Sequence, residues 1–252
     1  MPPIKYVLLD CDNTLCQSER LAFEACADLT NKVLAEKGIN KSYTAESLLE
    51  DFVGFNFRGM LLELQKRNPE FQLSSSELDT WVDKEVGAVT AKLSEKATEC
   101  PGVTENMEWL KGKGYPMSVV STSAKPRVVA SLKKCNLMRF FVDEHVYSAA
   151  TSLDPPSSKP DPKIYNFACE QLGVDNKDCI TVEDSKSGAT AAMRAGIPCI
   201  AYVGIYGIEE GKEKEDAMAK LLTEQTKCFA VMRDWKEFQG IVKKYEEGGY
   251  AS

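Results

Sequence analysis

Three short apolar runs in this chain stop abruptly at acids or hydroxyls. Tyr6–Leu9 runs into Asp10-Cys11-Asp12-Asn13-Thr14, Tyr115–Val120 into Ser121-Thr122-Ser123, and Cys179–Val182 into Glu183-Asp184-Ser185. Short apolar runs bounded by polar clusters read as buried strands. From residue 98 onward such runs alternate with helical patterns, and further strands are predicted at His145–Ser148, Ile197–Val203 and Cys228–Met232. Strands alternating with helices imply a parallel sheet covered on both faces. Right-handed crossovers would bring the strand ends to one edge. The fold class predicted is α/β, a Rossmann-like parallel-sheet core.

The segment after the first strand is different. Leu21, Phe23, Ala25, Cys26, Leu29, Val33 and Leu34 recur at helical spacing, so a helix is predicted over Glu19–Lys37, stopped by Gly38. Another runs from Thr44 to about Phe52, with Gly54 as an interruption, and a third over Gly59–Arg67. Ser74-Ser75-Ser76-Glu77 reads as the capping start of a fourth, which reaches about Leu93. The organisation predicted is a core of residues 1–16 and 97–252, with an all-helical cap domain of residues 17–96 inserted into it.

A net charge of −7 gives no basic footprint, so neither nucleic acid nor an anionic membrane is expected as a partner. An anionic substrate would need a local cation: a metal, a lysine or a helix N-terminus. The nine cysteines form no CxxC pair and there is one histidine, so zinc spacing is absent. No secretory or membrane-spanning run is visible. A reducing cytoplasmic localisation, and a monomer or weak homodimer, are expected.

Asp10 and Asp12 lie i, i+2 at a strand end, where both can face one crevice while Cys11 points inward. Two close carboxylates repel, so one holds a proton or a cation sits between them. The plainer alternative is a strand followed by an Asx turn. Lys159 precedes a helix start at Asp161-Pro162. Acids, a hydroxyl and an ammonium on one sheet edge suit phosphoryl transfer, which depends on positioning and charge neutralisation. In such a site Asp10 attacks phosphorus, Asp10 and Asp184 hold Mg²⁺, and Ser121 and Lys159 hold phosphate oxygens.

Asp10-Cys11-Asp12-Asn13-Thr14, Ser121, Lys159 and Glu183-Asp184 resemble, in order, the four motifs of the haloacid dehalogenase superfamily. Val182 to Ala189, followed by Ala191-Ala192 and Ala195-Gly196, is similar to its β-phosphoglucomutase-like sugar-phosphate phosphatases and mutases. The resemblance implies that Asp10 is the nucleophile forming an aspartyl-phosphate and a Mg²⁺ ligand. Asp12 would be the general acid and base, with its carbonyl on the metal. Ser121, Thr122 and Lys159 would bind the phosphoryl group, and Asp184 and Glu183 would complete the metal site. Within the cap, Asn56 and Arg58 are the implied contacts to the leaving group. Asp12 favours phosphoryl chemistry over carbon–halogen cleavage. The function implied is a Mg²⁺-dependent phosphatase of a small phosphorylated metabolite. A sugar-phosphate mutase, which shares all four motifs, is the second reading, and a non-catalytic binding protein the third.

Overall fold

The computed structural model of the protein describes residues 4–52 and 55–250, so Gly54, where the sequence predicts a helix break, lies outside the described residues. The chain divides into two compact units, Met1–Gln17 with Thr98–Ser252, and Ser18–Ala97.

In the first unit the strands are β1 (Tyr6–Leu9), β2 (Cys16–Gln17), β3 (Thr98–Glu99), β4 (Met117–Ser121), β5 (Val146–Ser148), β6 (Cys179–Glu183), β7 (Cys199–Tyr202) and β8 (Ala230–Met232). Six of them form one parallel sheet in the order β5-β4-β1-β6-β7-β8. Every residue of β1 is buried because both faces are covered. Side chains alternate across a strand, so Val7 and Leu9 join one core with Met107, Leu110, Trp235 and Phe238. Tyr6 and Leu8 join the other, with Tyr165, Ala168, Ala192 and Leu222.

The second unit holds α1 (Glu19–Glu36), α2 (Ala45–Asp51), α3 (Phe57–Arg67) and α4 (Ser75–Lys96). The start of α4 is fixed locally, as the sequence implies. The Ser74 hydroxyl accepts from the Glu77 amide at 3.2 Å while the Glu77 carboxylate accepts from the Ser74 amide at 2.8 Å. The remaining helices belong to the first unit: α5 (Val103–Lys113), α6 (Lys125–Lys134), α7 (Lys163–Leu172), α8 (Lys186–Ala195), α9 (Gly204–Glu209), α10 (Lys212–Thr226) and α11 (Phe238–Glu246).

Two local features add to the sequence reading. β2 and β3 form a small antiparallel pair, Cys16 against Glu99 and Gln17 against Thr98, and two residues a side are too few to show alternation. The charged run Glu209–Lys220 is mostly helix, from Lys212 onward within α10. Lys212–Asp216 and Lys214–Glu210 ion pairs line its exposed side, and within it Met218 and Ala219 are the apolar residues that reach the core, so its apolar period is thin.

Candidate active site

β1 pairs with β4 on one side and β6 on the other, with Leu9 opposite both Val119 and Val182. The strand order reverses at β1, and in open α/β sheets the ligand crevice lies beyond the strand ends at such a point. Asp10 follows β1 directly, and its amide donates to the Val182 carbonyl at 3.1 Å. Ser121 closes β4; Glu183 closes β6, with Asp184 next to it.

Lys159 joins these strand ends. Its Nζ donates to Asp10 Oδ1 at 2.7 Å, to the Val120 carbonyl at 2.7 Å and to Glu183 Oε1 at 2.6 Å. The ammonium has three N–H donors, so all are used, and its side chain is 3% exposed. Asp10 Oδ2 accepts from the Thr14 hydroxyl at 3.1 Å. Asp12 Oδ2 accepts from the hydroxyls of Ser121 at 3.3 Å and Ser123 at 2.8 Å. Asp184 Oδ2 accepts from the Tyr206 hydroxyl at 3.3 Å. The loop tip is tight: Asn13 is buried at φ 57°, a left-handed conformation that asparagine accepts more readily than most residues.

The electrostatics follow from burial. Desolvation pushes the Asp10 carboxyl up despite the attraction of Lys159. Glu183 is pushed up to about 7, chiefly by burial and against the pull of the same lysine. Burial opposes the charge of Lys159, yet Asp10 and Glu183 hold its pKa above the ordinary lysine range. One ammonium therefore faces an excess of carboxylates.

Asp10, Glu183 and Asp184 each present an oxygen within 4.8 Å of the others. All three are buried, and Glu183 Oε2 is a buried oxygen with no hydrogen-bond partner. A hard, all-oxygen, anionic donor set fits Mg²⁺ and not the nitrogen and sulfur preferences of zinc. A divalent cation here would also offset the excess of carboxylate charge around Lys159.

Gly188, in the first turn of α8, protects this geometry. A Cβ built there would lie 1.8 Å from Glu183 Oε2. Ser185 fixes the turn, its hydroxyl accepting from the Gly188 amide at 3.1 Å. Gly188→Ala is expected to displace Glu183, costing about 1–3 kcal/mol of stability and roughly 10–100-fold in activity. Denaturant melts and initial rates on the same preparation check both effects.

The site thus brings together Asp10, Asp12, Ser121, Lys159, Glu183 and Asp184. Thr122 is exposed, and Ser123 rather than Thr122 meets Asp12. In the helical unit, Asn56 caps α3, its Oδ1 accepting from the Gly59 amide at 2.9 Å, and Arg58 pairs with Asp79 at 2.5 Å. Three neighbours escaped the sequence reading: Ser123, Tyr206 and Tyr165. The Tyr165 hydroxyl donates to Glu183 Oε1 and lies 3.0 Å from Thr181 Oγ1.

Comparison with known proteins follows the same lines. Residues 7–202 match the family described as haloacid dehalogenase-like hydrolase. The chain is 29% identical over 228 residues to a phosphorylated carbohydrates phosphatase of Thermotoga maritima, covering 90% of this chain and 98% of the relative. It is 28% identical to a phosphoglycolate phosphatase of Nitrosospira multiformis, covering 90% and 96%. Other relatives are matched over only 18–39% of their own length. Among solved structures, a putative β-phosphoglucomutase from Thermotoga maritima superposes with a TM-score of 0.68 at 26% identity, over 95% of this chain and 99% of that one.

Proposed function

The chain belongs to the haloacid dehalogenase-like hydrolases, and from that premise we propose that it is a Mg²⁺-dependent phosphatase of a small phosphorylated sugar, polyol or related metabolite. It is a phosphoric monoester hydrolase, in keeping with its phosphatase-named relatives. The observation that carries the proposal is the gathering of Asp10, Asp12, Ser121, Lys159, Glu183 and Asp184 at one sheet edge.

An Asp10 carboxylate oxygen attacks phosphorus as the bond from phosphorus to the substrate oxygen breaks. Asp12 gives its proton to that leaving oxygen. Asp12, now a carboxylate, then takes a proton from the water that attacks the aspartyl-phosphate, releasing phosphate and restoring Asp10. The contacts from Lys159 and Thr14 hold the two Asp10 oxygens in a fixed orientation. Ser121 and Lys159 are the donors proposed for the phosphoryl oxygens, each exchanging one of its present hydrogen bonds for the substrate. Asp10, Asp184, Glu183 and the Asp12 carbonyl are proposed to hold Mg²⁺, which supplies Lewis-acid neutralisation of phosphoryl charge. Asn56 and Arg58 are the residues of the helical unit proposed to read the leaving group.

Free phosphate released from a panel of sugar, polyol and small organic phosphates, with Mg²⁺ and with chelator, tests the reading. No metal-dependent release from any of them would sink it. The likeness to a putative β-phosphoglucomutase favours a mutase as the second reading. Isomerised sugar phosphate without stoichiometric free phosphate would favour that reading.

Two further outcomes are expected. Asp12→Asn keeps the side-chain shape but removes the proton carrier, so kcat falls by about 10²–10⁴-fold, measured on the best panel substrate. Mg²⁺ at about a hundredfold over its dissociation constant stabilises by roughly 2.7 kcal/mol. Thermal melts read this as a shift of several degrees that Asp184→Asn loses.

A further inference from the structure

The two oxygens of the Glu183 carboxylate are served unevenly. Oε1 accepts from the Lys159 ammonium at 2.6 Å and from the Tyr165 hydroxyl. Oε2 is buried and has no hydrogen-bond partner among the described residues. Tyr165 is itself wholly buried and takes no direct part in the steps at phosphorus.

The register of β6 and α7 explains the contact. Thr181 and Glu183 lie i, i+2 in β6, so their side chains share one face of the sheet. Val182, between them, points into the core on the other face. Tyr165, in the first turn of α7, belongs to the core that covers the Thr181 and Glu183 face. A phenol carries one proton. It goes to the carboxylate, the stronger acceptor, so the Tyr165 oxygen accepts from the Thr181 hydroxyl across 3.0 Å. The donor chain runs from Thr181 to Tyr165 to Glu183, and all three residues are buried. The ring of Tyr165 has a second contact: Lys159 Nζ lies 5.3 Å from its centroid, within cation–π reach.

We propose that Tyr165 is a positioning residue of the metal site, its hydroxyl oriented by Thr181 and fixing Glu183 so that Oε1 is spent on the protein and Oε2 stays free for a divalent cation; this rests on the reading of Asp10, Glu183 and Asp184 as the Mg²⁺ site. A carboxylate oxygen offers two lone pairs, and on Oε1 an ammonium and a phenol take both. The absent Cβ of Gly188, which would lie 1.8 Å from Oε2, leaves that oxygen its room. Without the phenol, the carboxylate can turn about its last bond, a broad torsion, and share both oxygens with Lys159. Tyr165 also steadies Glu183 when Lys159 turns its Asp10 bond toward a phosphoryl oxygen. Side chains that hold a metal ligand from behind in this way are worth about 10–100-fold in metal affinity.

Tyr165→Phe keeps the ring beside Lys159 and removes the hydroxyl alone. The full chain is melted over a series of Mg²⁺ concentrations without substrate, which yields a dissociation constant. In parallel, kcat is measured at saturating Mg²⁺ on the best panel substrate. Mg²⁺ binding is expected to weaken about 10–100-fold. At saturating Mg²⁺, kcat is expected to fall by less than about fivefold, because the phenol touches no reacting atom. Adding Thr181→Val to Tyr165→Phe removes both hydroxyls and leaves neither unpaired, so metal-free stability should return toward the wild type while Mg²⁺ binding stays weak. A tyrosine that served packing alone would regain binding together with stability. Mg²⁺ binding within about twofold of the wild type, in either variant, falls short of what such a support is worth and overturns the proposal. A wild type that Mg²⁺ does not stabilise overturns it too, along with the metal reading. Weakened Mg²⁺ binding in both variants, in a protein that releases phosphate from nothing on the panel, would count against the phosphatase reading alone.

Discussion

Asp10→Asn is expected to abolish phosphate release while leaving the fold intact. The loss should be on the order of 10⁴-fold or more, as for removal of a nucleophile that works as part of a unit, which corresponds to at least about 5 kcal/mol of barrier. The fold survives for local reasons. Asparagine keeps the shape, and its Oδ1 can still accept from Lys159, which lies 2.7 Å from the Asp10 oxygen. The change also removes a buried carboxylate whose charge is already disfavoured by desolvation. Stability near neutral pH should therefore stay within about 1 kcal/mol of the wild type, as surface-like substitutions do when they leave no buried charge unpaired. The measurement is kcat on the best substrate beside a denaturant melt of the same preparation. Residual activity above a few per cent, with the melt unchanged, would remove Asp10 from the nucleophile role.

Much of this site is legible in the sequence because its residues punctuate strands. An apolar run that ends in acids marks the end of a buried strand, and a parallel sheet puts such ends together. Asp10, Ser121, Glu183 and Asp184 could be found that way. Lys159 could be found as a lysine ahead of a helix start, though only the fold shows its Nζ bridging Asp10 and Glu183. Ser123 was within reach too. Ser121 and Ser123 are two residues apart at the end of β4, and period-two spacing puts them on one side and Thr122 on the other. Tyr165 was not. A tyrosine at a buried position of α7 looks like core, and its hydroxyl gains meaning only because the fold brings it to Thr181 and Glu183 of β6. Tyr206 was hidden for a different reason. It lies in α9, before the charged run whose exposed ion pairs leave few apolar positions to mark a helix. Asn56 and Arg58 could be named only from the resemblance, and locally Asn56 caps α3 while Arg58 pairs with Asp79.

Lys159→Met is expected to be the most damaging single change to stability, and its cost should depend on pH. In the wild type the ammonium lies within 2.7 Å of Asp10 Oδ1 and 2.6 Å of Glu183 Oε1, all nearly inaccessible to water. Removing one partner of a buried ion pair costs about 3–5 kcal/mol, because the remaining charge is left unpaired. Here two carboxylates are left, and they also repel one another. They can escape only by taking up protons. Even with Lys159 present, burial pushes Glu183 from 4.5 to about 7, and without the lysine it must rise further. A carboxyl whose folded pKa lies above its unfolded value binds more protons folded than unfolded, so stability falls as pH rises through that window. The variant should thus be least impaired near pH 5 and lose stability steadily toward pH 8 and above. Urea melts at those two pH values measure the slope. Adding Glu183→Gln to Lys159→Met should recover part of the loss at pH 8 and little at pH 5. Equal destabilisation at both pH values, with no recovery in the double variant, would mean that Lys159 acts through packing rather than as the counter-charge of the site.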